Sequence, residues 1–263
     1  MHALRPGARV FITGASSGIG AALARHYAAH GATLGLMARN QERLEQLAAS
    51  LPNPERHHIY AVDVLDRPAL SAAARHFITA CGGTDIVVAS AGVSHGTLTE
   101  RAADLAVFDA VFATNVNATV ATFAPFIDTM RAQATPCRLV GIGSVAGIRG
   151  MRGAGAYCAS KAAVHSYCEA LRVELRATNI RVVTIAPGYI DTPMTSKNRF
   201  PMPFLMPAER FAAQAVDVIA RGASYRVLPW QMGFVAKLLR LLPNFVFDRL
   251  FARAPTKQRR EDA

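Results

Sequence analysis

The chain has 263 residues, of which 51% are hydrophobic and 18% charged, and a formal net charge of +11. That balance supports a substantial core and excludes a disordered chain. The basic excess raises a nucleic-acid partner, but no dense Lys/Arg cluster or nucleic-acid motif accompanies it, so a diffuse basic surface and no nucleic acid are expected.

Short β-rich runs alternate with helical stretches. A buried strand at 8–12 leads through a glycine-rich turn into an Ala-rich helix at 18–29. A strand at 33–38 and a helix at 41–51, stopped by Pro52, follow. Strands at 58–62 and 85–89 bracket a helix at 67–80, and one long helical pattern covers 104–130. A fifth strand at 137–142, a helix at 155–178, a sixth strand at 180–186 and a seventh at 225–228 complete the pattern. Such alternation means right-handed crossovers and a mostly parallel sheet. With no linker or internal repeat, residues 1–263 read as one α/β domain, a doubly wound sheet of about seven strands.

Cys81, Cys137, Cys158 and Cys168 form no C-x-x-C pair and no metal-like spacing with His. Free thiols in a reducing, cytoplasmic setting and no metal are expected. The start lacks an apolar secretion segment, and no run approaches the roughly 20 apolar residues of a membrane span.

Between the first strand and first helix stands T-G-A-S-S-G-I-G (13–20). Gly14 permits the tight turn, Gly18 lets backbone approach a pyrophosphate, and Gly20 allows close helix–strand packing. The helix N-terminus offers unpaired N–H groups and a partial positive charge. Gly14, Ser16, Ser17, Gly18, Ile19 and Gly20 are therefore candidate phosphate contacts of a dinucleotide in a Rossmann-type fold. At the end of the second strand, where NAD sites place Asp or Glu, stand Arg39 and Asn40, with Arg43 one turn on. An arginine there can pair with a 2′-phosphate, and no local carboxylate repels it, so NADP(H) is expected over NAD(H).

Tyr157 and Lys161 stand four residues apart, on one helix face. An ammonium beside a phenol favours the phenolate, which lowers the phenol's pKa from about 10 and suits it to proton transfer near neutral pH.

With these motifs in this order, residues 8–194 resemble the short-chain dehydrogenase/reductase family. The resemblance implies further roles. Asp63 and Val64 match its adenine-binding pair. A-S-A-G (89–92) stands where the family usually has N-N-A-G, so amide hydrogen bonds that steady the sheet are lost, while Ala91 and Gly92 still allow close approach to the cofactor. Asn115 matches the family's structural and catalytic asparagine, holding a water in a relay with Lys161. Ser144 matches the catalytic serine, Tyr157 the general acid/base and Lys161 its activating lysine, which also binds ribose hydroxyls. Pro187, Gly188, Ile190 and Thr192 match the segment lining the nicotinamide. The implied activity is hydride transfer between a nicotinamide and a carbonyl/alcohol pair, with a non-catalytic dinucleotide sensor or an epimerase or dehydratase of the same fold as alternatives.

Residues 193–215, rich in Pro, Met and Phe, read as a mobile apolar lid, which favours a small hydrophobic carbonyl or alcohol substrate. His95 and Met151 fall near the cleft by the same analogy. Within the stretch 230–252, residues 234–242 and 244–251 read as two short apolar helices with basic punctuation, broken at Pro243. It fits either peripheral contact with the inner face of a membrane or an internal cap or subunit interface. A homo-oligomer, dimer or tetramer, is expected.

Overall fold

β1 (Arg9–Thr13) carries four consecutive buried residues, and β4 (Ile86–Ala89) is buried throughout. Strands apolar on both faces belong inside a parallel sheet covered by helices on each side. A computed structural model of the chain describes residues 7–196, 198, 200–253, 256, 257 and 259, and there the sheet has seven parallel strands. In chain order the elements are β1, α1 (Gly18–Ala29), β2 (Thr33–Ala38), α2 (Gln41–Ser50), β3 (His58–Ala61), α3 (Arg67–Cys81) and β4. Next come α4 (Asp104–Phe112), α5 (Ala118–Phe123), α6 (Ile127–Ala132), β5 (Cys137–Ile142), α7 (Gly155–Glu174) and β6 (Ile180–Pro187). The chain continues through β7 (Ile190–Asp191), β8 (Met206–Pro207), α8 (Ala208–Arg221), β9 (Tyr225–Leu228), α9 (Trp230–Leu241) and α10 (Asn244–Phe251).

The sheet order is β3-β2-β1-β4-β5-β6-β9. The winding reverses between β1 and β4, so the connections leaving their carboxyl ends diverge and open a crevice. One core lies on the α1, α2 and α8 side, with Leu23, Tyr27, Leu36 and Phe211 fully buried. The other lies on the α3 and α7 side, around Phe11, Phe77, Phe123 and Leu139. Arg9 closes the far end of the β1–β4 pair with a two-pronged grip on Asp85, at 2.7 and 2.9 Å.

Besides α7, which ends at Glu174 rather than 178, three elements differ from the sequence expectation. The single helix expected at 104–130 is interrupted by a π turn at Ala113–Asn117 and a 3-10 turn at Ala124–Phe126, the latter at Pro125. By length and composition the whole stretch Asp104–Ala132 could cross a membrane, contrary to the expectation of no such run. Here its inner side packs on α3, α7 and β4 with Phe123, Phe126 and Met130 fully buried, while Leu105, Phe108 and Val120 are exposed. Second, the lid does not reach residue 215. From Ala208 the chain is α8, whose Phe211, Ala212 and Ala215 are buried and which packs on α1. The remaining loop is closed at its base, because β7 pairs with β8. Lys197 and Arg199 of this loop lie outside the described residues. Third, the first tail helix begins at Trp230 rather than 234, while the break at Pro243 is as expected.

Candidate active site

The crevice at the carboxyl ends of β1 and β4 holds a cleft of about 690 Å³. At its floor Gly14 (φ +69°) approaches the loop after β4 so closely that a Cβ would lie 2.8 Å from the Ala91 Cα. A Cβ on Gly20 would run into the Gly14 carbonyl oxygen. The turn is thus closed to side chains, and backbone N–H groups form its surface. Ser17, at the N-cap of α1, makes no side-chain cap bond, which leaves first-turn donors to an anion. Ser16, Gly18 and Ile19 line the same floor. Thr192 folds over it, its methyl 3.3 Å from where a Gly18 Cβ would stand. This cradle, at a helix N-terminus, fits a dinucleotide pyrophosphate.

Arg39, Asn40 and Arg43 line the end of the cleft beyond β2. Asn40 accepts a hydrogen bond from the Arg43 backbone N–H at 2.8 Å, so its side chain caps α2. Arg39 is largely exposed, and its guanidinium lies 3.9 Å from the Asp63 carboxylate. A carboxylate invisible in the sequence around Arg39 therefore stands beside it in space. Asp63 also accepts from the Leu65 N–H at 3.0 Å, and Val64 lines the wall. Ala91 and Gly92 form the wall after β4, and Pro187, Gly188, Ile190 and Thr192 the wall after β6.

Ser144, Tyr157 and Lys161 meet at the inner end of the cleft. Ser144 follows β5 and caps a 3-10 turn by accepting from the Ala146 N–H at 3.1 Å. Its side chain and the Tyr157 phenol face the same end of the cleft. Burial raises the Tyr157 pKa, and the neighbouring Ser144 hydroxyl opposes that rise. The lowered phenol expected from the spacing to Lys161 is not what these surroundings produce. The Lys161 ammonium stands 5.9 Å from the Tyr157 ring centroid and donates to the Ile142 carbonyl at 2.8 Å. Burial lowers Lys161 to about 8.

Asn115 sits in the π turn, fully buried, and does not line the cleft. Its side chain accepts from the Val93 N–H at 2.8 Å and donates to the Val93 carbonyl at 3.0 Å. It also donates to the Ser160 hydroxyl at 3.0 Å, which in turn donates to the Tyr157 carbonyl at 2.8 Å. Asn115 therefore ties the loop after β4 to the first turn of α7. A Cβ on Gly92 would lie 3.2 Å from Asn115 Oδ1 and 3.6 Å from Lys161 Nζ, so the two side chains converge there. These bonds, with Thr13 Oγ1 accepting from the Ala91 N–H at 3.4 Å, steady the loop where A-S-A-G lacks asparagines.

A second cavity, about 370 Å³, opens from Ser144, Tyr157 and Gly188 away from the cleft. Its walls are mostly apolar, including Met151, Tyr189, Phe200, Met232, Val235 and Phe251; His95 lines neither cavity. Two cations that the sequence reading passed over organise it. Arg149 donates to the carbonyls of Leu239 and Leu242, the latter at 2.8 Å, and lies 3.8 Å over the Phe247 ring. It thereby fastens α9 and α10 to the loop after β5. Lys257 reaches back from the tail, donates to Ser94 Oγ at 2.6 Å and stands 5.1 Å from the Tyr157 ring centroid. Burial lowers its pKa to about 8. Nearby, Arg259 pairs with the buried Asp104 at 3.0 Å, which anchors the tail.

Residues 8–202 match the family model for short chain dehydrogenases. An uncharacterised oxidoreductase of Myxococcus xanthus is 35% identical over 241 residues, 90% of this chain and 93% of that protein. A 3-oxoacyl-[acyl-carrier-protein] reductase of Chlamydia muridarum is 32% identical over 74% of this chain and 79% of its own. Among solved structures, a short-chain dehydrogenase from Streptomyces avermitilis superposes with a TM-score of 0.79 at 22% identity, over 88% of this chain and 92% of that one. A 3-ketoacyl-(acyl-carrier-protein) reductase from Brucella melitensis, complexed with NADH, gives 0.77 at 25% identity, over 85% and 97%.

Proposed function

The chain belongs to the short-chain dehydrogenase/reductase family, whose oxidoreductases use a nicotinamide dinucleotide, NAD(P)(H), and from that premise we propose that it interconverts a hydrophobic ketone or aldehyde and its alcohol with NADP(H). One observation carries this reading: the dinucleotide cleft and the apolar chamber share Ser144 and Tyr157. A substrate held in the chamber reaches the phenol on one side and the nicotinamide end of the cleft on the other. When bound, the cofactor supplies or accepts the hydride.

The chain's own residues do the rest. Ser144 and Tyr157 donate hydrogen bonds to the substrate carbonyl oxygen, where negative charge develops. Tyr157 then gives its proton to the alkoxide, or takes one from the alcohol in the reverse direction. A phenol raised by burial is a held proton, suited to the reductive direction. Lys161, lowered to about 8 by burial, still carries its charge at neutral pH, favours the phenolate once Tyr157 has given up its proton and holds the ribose hydroxyls. Asn115 positions α7 against the loop after β4.

Arg39 and Arg43 at the cleft's outer end support the NADP(H) preference, because an exposed guanidinium with only a 3.9 Å contact to Asp63 can exchange it for a 2′-phosphate. The four free thiols, three of them buried, support a cytoplasmic setting. Exposed Leu105 and Phe108 on α4 support a homodimer or tetramer.

The test is a panel of ketones, aldehydes and alcohols followed by nicotinamide absorbance with NADPH and with NADH. Turnover of hydrophobic carbonyls with NADPH is expected, and Tyr157→Phe should lose about 10²–10⁴-fold in kcat. Full activity in that variant, or equal use of NADH, would overturn the corresponding part of the proposal.

A further inference from the structure

α9 uses its two faces differently. The inner face supplies Met232, Val235, Ala236 and Leu239 to the apolar chamber. The outer face carries Trp230, Phe234, Leu238 and Leu241, a stripe at helical spacing, and α10 adds Phe245 and Leu250. Trp230 is 71% exposed and Leu241 80%. Six of the fifteen exposed large hydrophobic residues among those described thus fall within 21 residues of chain. Concentrated exposure of this kind marks a surface that something covers. The Arg149 contacts with Leu239, Leu242 and Phe247 hold both helices by their inner side, which keeps the stripe turned outward.

The polar residues around the stripe identify what covers it. Lys237, Arg240, Arg249 and Arg253 are exposed, and Asp248 is the sole acidic residue between 230 and 253. A second copy of the chain is a poor occupant. In a two-fold contact across this face, the cations would meet their own copies with one carboxylate per chain to offset them. A bilayer with anionic headgroups satisfies both features. We propose that the outer face of α9 and α10 docks on an anionic membrane surface, its apolar side chains entering the headgroup boundary and its cations meeting lipid phosphates. This docking is independent of the reaction assigned above. Its consequence is positional, because the helix that rests on the lipid is also a wall of the chamber.

The chain provides its own probe, since Trp230 is its single tryptophan. Full-length protein is mixed with vesicles of phosphatidylcholine alone or of phosphatidylcholine and phosphatidylglycerol in equal parts, and Trp emission and flotation are followed. A blue shift and co-flotation with the anionic vesicles are expected, both reversed by high salt. The double variant Phe234→Glu/Leu238→Glu should partition at least about tenfold more weakly, with the far-UV circular dichroism and melting temperature of the parent. Lys237→Glu/Arg240→Glu should lose the preference for anionic lipid. Absence of a shift or flotation with the unmodified chain overturns the proposal, as does a parent-like partition of the folded variants. A dimer in light scattering that Phe234→Glu/Leu238→Glu converts to monomer would also overturn it, by assigning the face to a second copy.

Discussion

The dinucleotide cleft and the apolar chamber meet at Ser144 and Tyr157, yet they are built in different ways. The floor of the cleft is backbone from one strand–turn–helix junction, and its shape depends on what is missing, namely the side chains of Gly14 and Gly20. The chamber is built from side chains. They come from the loop after β5, the lid loop and the tail, and a few cations hold them together: Arg149 on α9 and α10, Lys257 on Ser94, and Arg259 on Asp104. A backbone site tolerates little change and serves a ligand of one shape. A side-chain site retunes through single substitutions, which suits the part of an oxidoreductase that selects its substrate.

Substitutions should separate the two regions. Gly14→Val is expected to have the largest effect, because its Cβ would press on Ala91 and branched residues rarely adopt positive φ. NADPH affinity measured by fluorescence titration should fall by at least about a hundredfold, from loss of pyrophosphate contacts. A cofactor affinity within a few-fold of the parent would contradict the backbone account of the cleft.

Arg149→Ala should act on the other region. Its loss frees the carbonyls of Leu239, Arg240 and Leu242 and a ring contact, so α9 and α10 should loosen while the cleft stays intact. The expected result is a KM for a hydrophobic carbonyl raised roughly tenfold, about 1.4 kcal/mol, with NADPH affinity unchanged and faster proteolysis in 230–253. If KM rose and NADPH affinity fell together, the two regions would be one.

Lys257→Met should be smallest and visible in pH. Burial lowers Lys257 to about 8, below its ordinary value of 10.5. Between those values the unfolded chain binds a proton that the folded chain does not, so this lysine makes stability rise with pH across that window. Below pH 8 its full burial cost is present, and above 10.5 it is gone. Denaturant melts should show the variant's advantage over the parent shrinking by about 2 kcal/mol between pH 8 and pH 10. A constant difference would show that Lys257 is not buried as described.

The same contrast governs what could be read from the sequence. All seven strands of the main sheet lie where apolar, β-branched runs suggested, and the glycine turn carried its own signature. The helix over 208–221 was also legible, since Phe211, Ala212, Ala215, Val216 and Ile219 follow helical spacing. The Pro/Met-rich composition just before it drew residues 208–215 into the lid instead. The π turn that places Asn115 has no comparable signal. Lys257 beside Tyr157 is a contact across 100 residues, and periodicity says nothing about where a tail returns. The raised Tyr157 phenol was hidden for a related reason, because spacing reports which groups are near, while burial depends on the whole assembly.

The two-residue strands Ile190–Asp191 and Met206–Pro207 bring the ends of the intervening loop side by side. The entropy of closing that loop is then met at its base, and each doubling of its length adds only about 0.6 kcal/mol. Beyond Thr195, the last residue of this loop to line the dinucleotide cleft, the segment between them is therefore an exchangeable cassette. Insertions, deletions or a transplanted loop can be accommodated without repositioning α8 on α1 or β6 in the sheet. Diversification of substrate choice in such a chain can proceed by swapping this cassette while the hydride-transfer frame stays as it is.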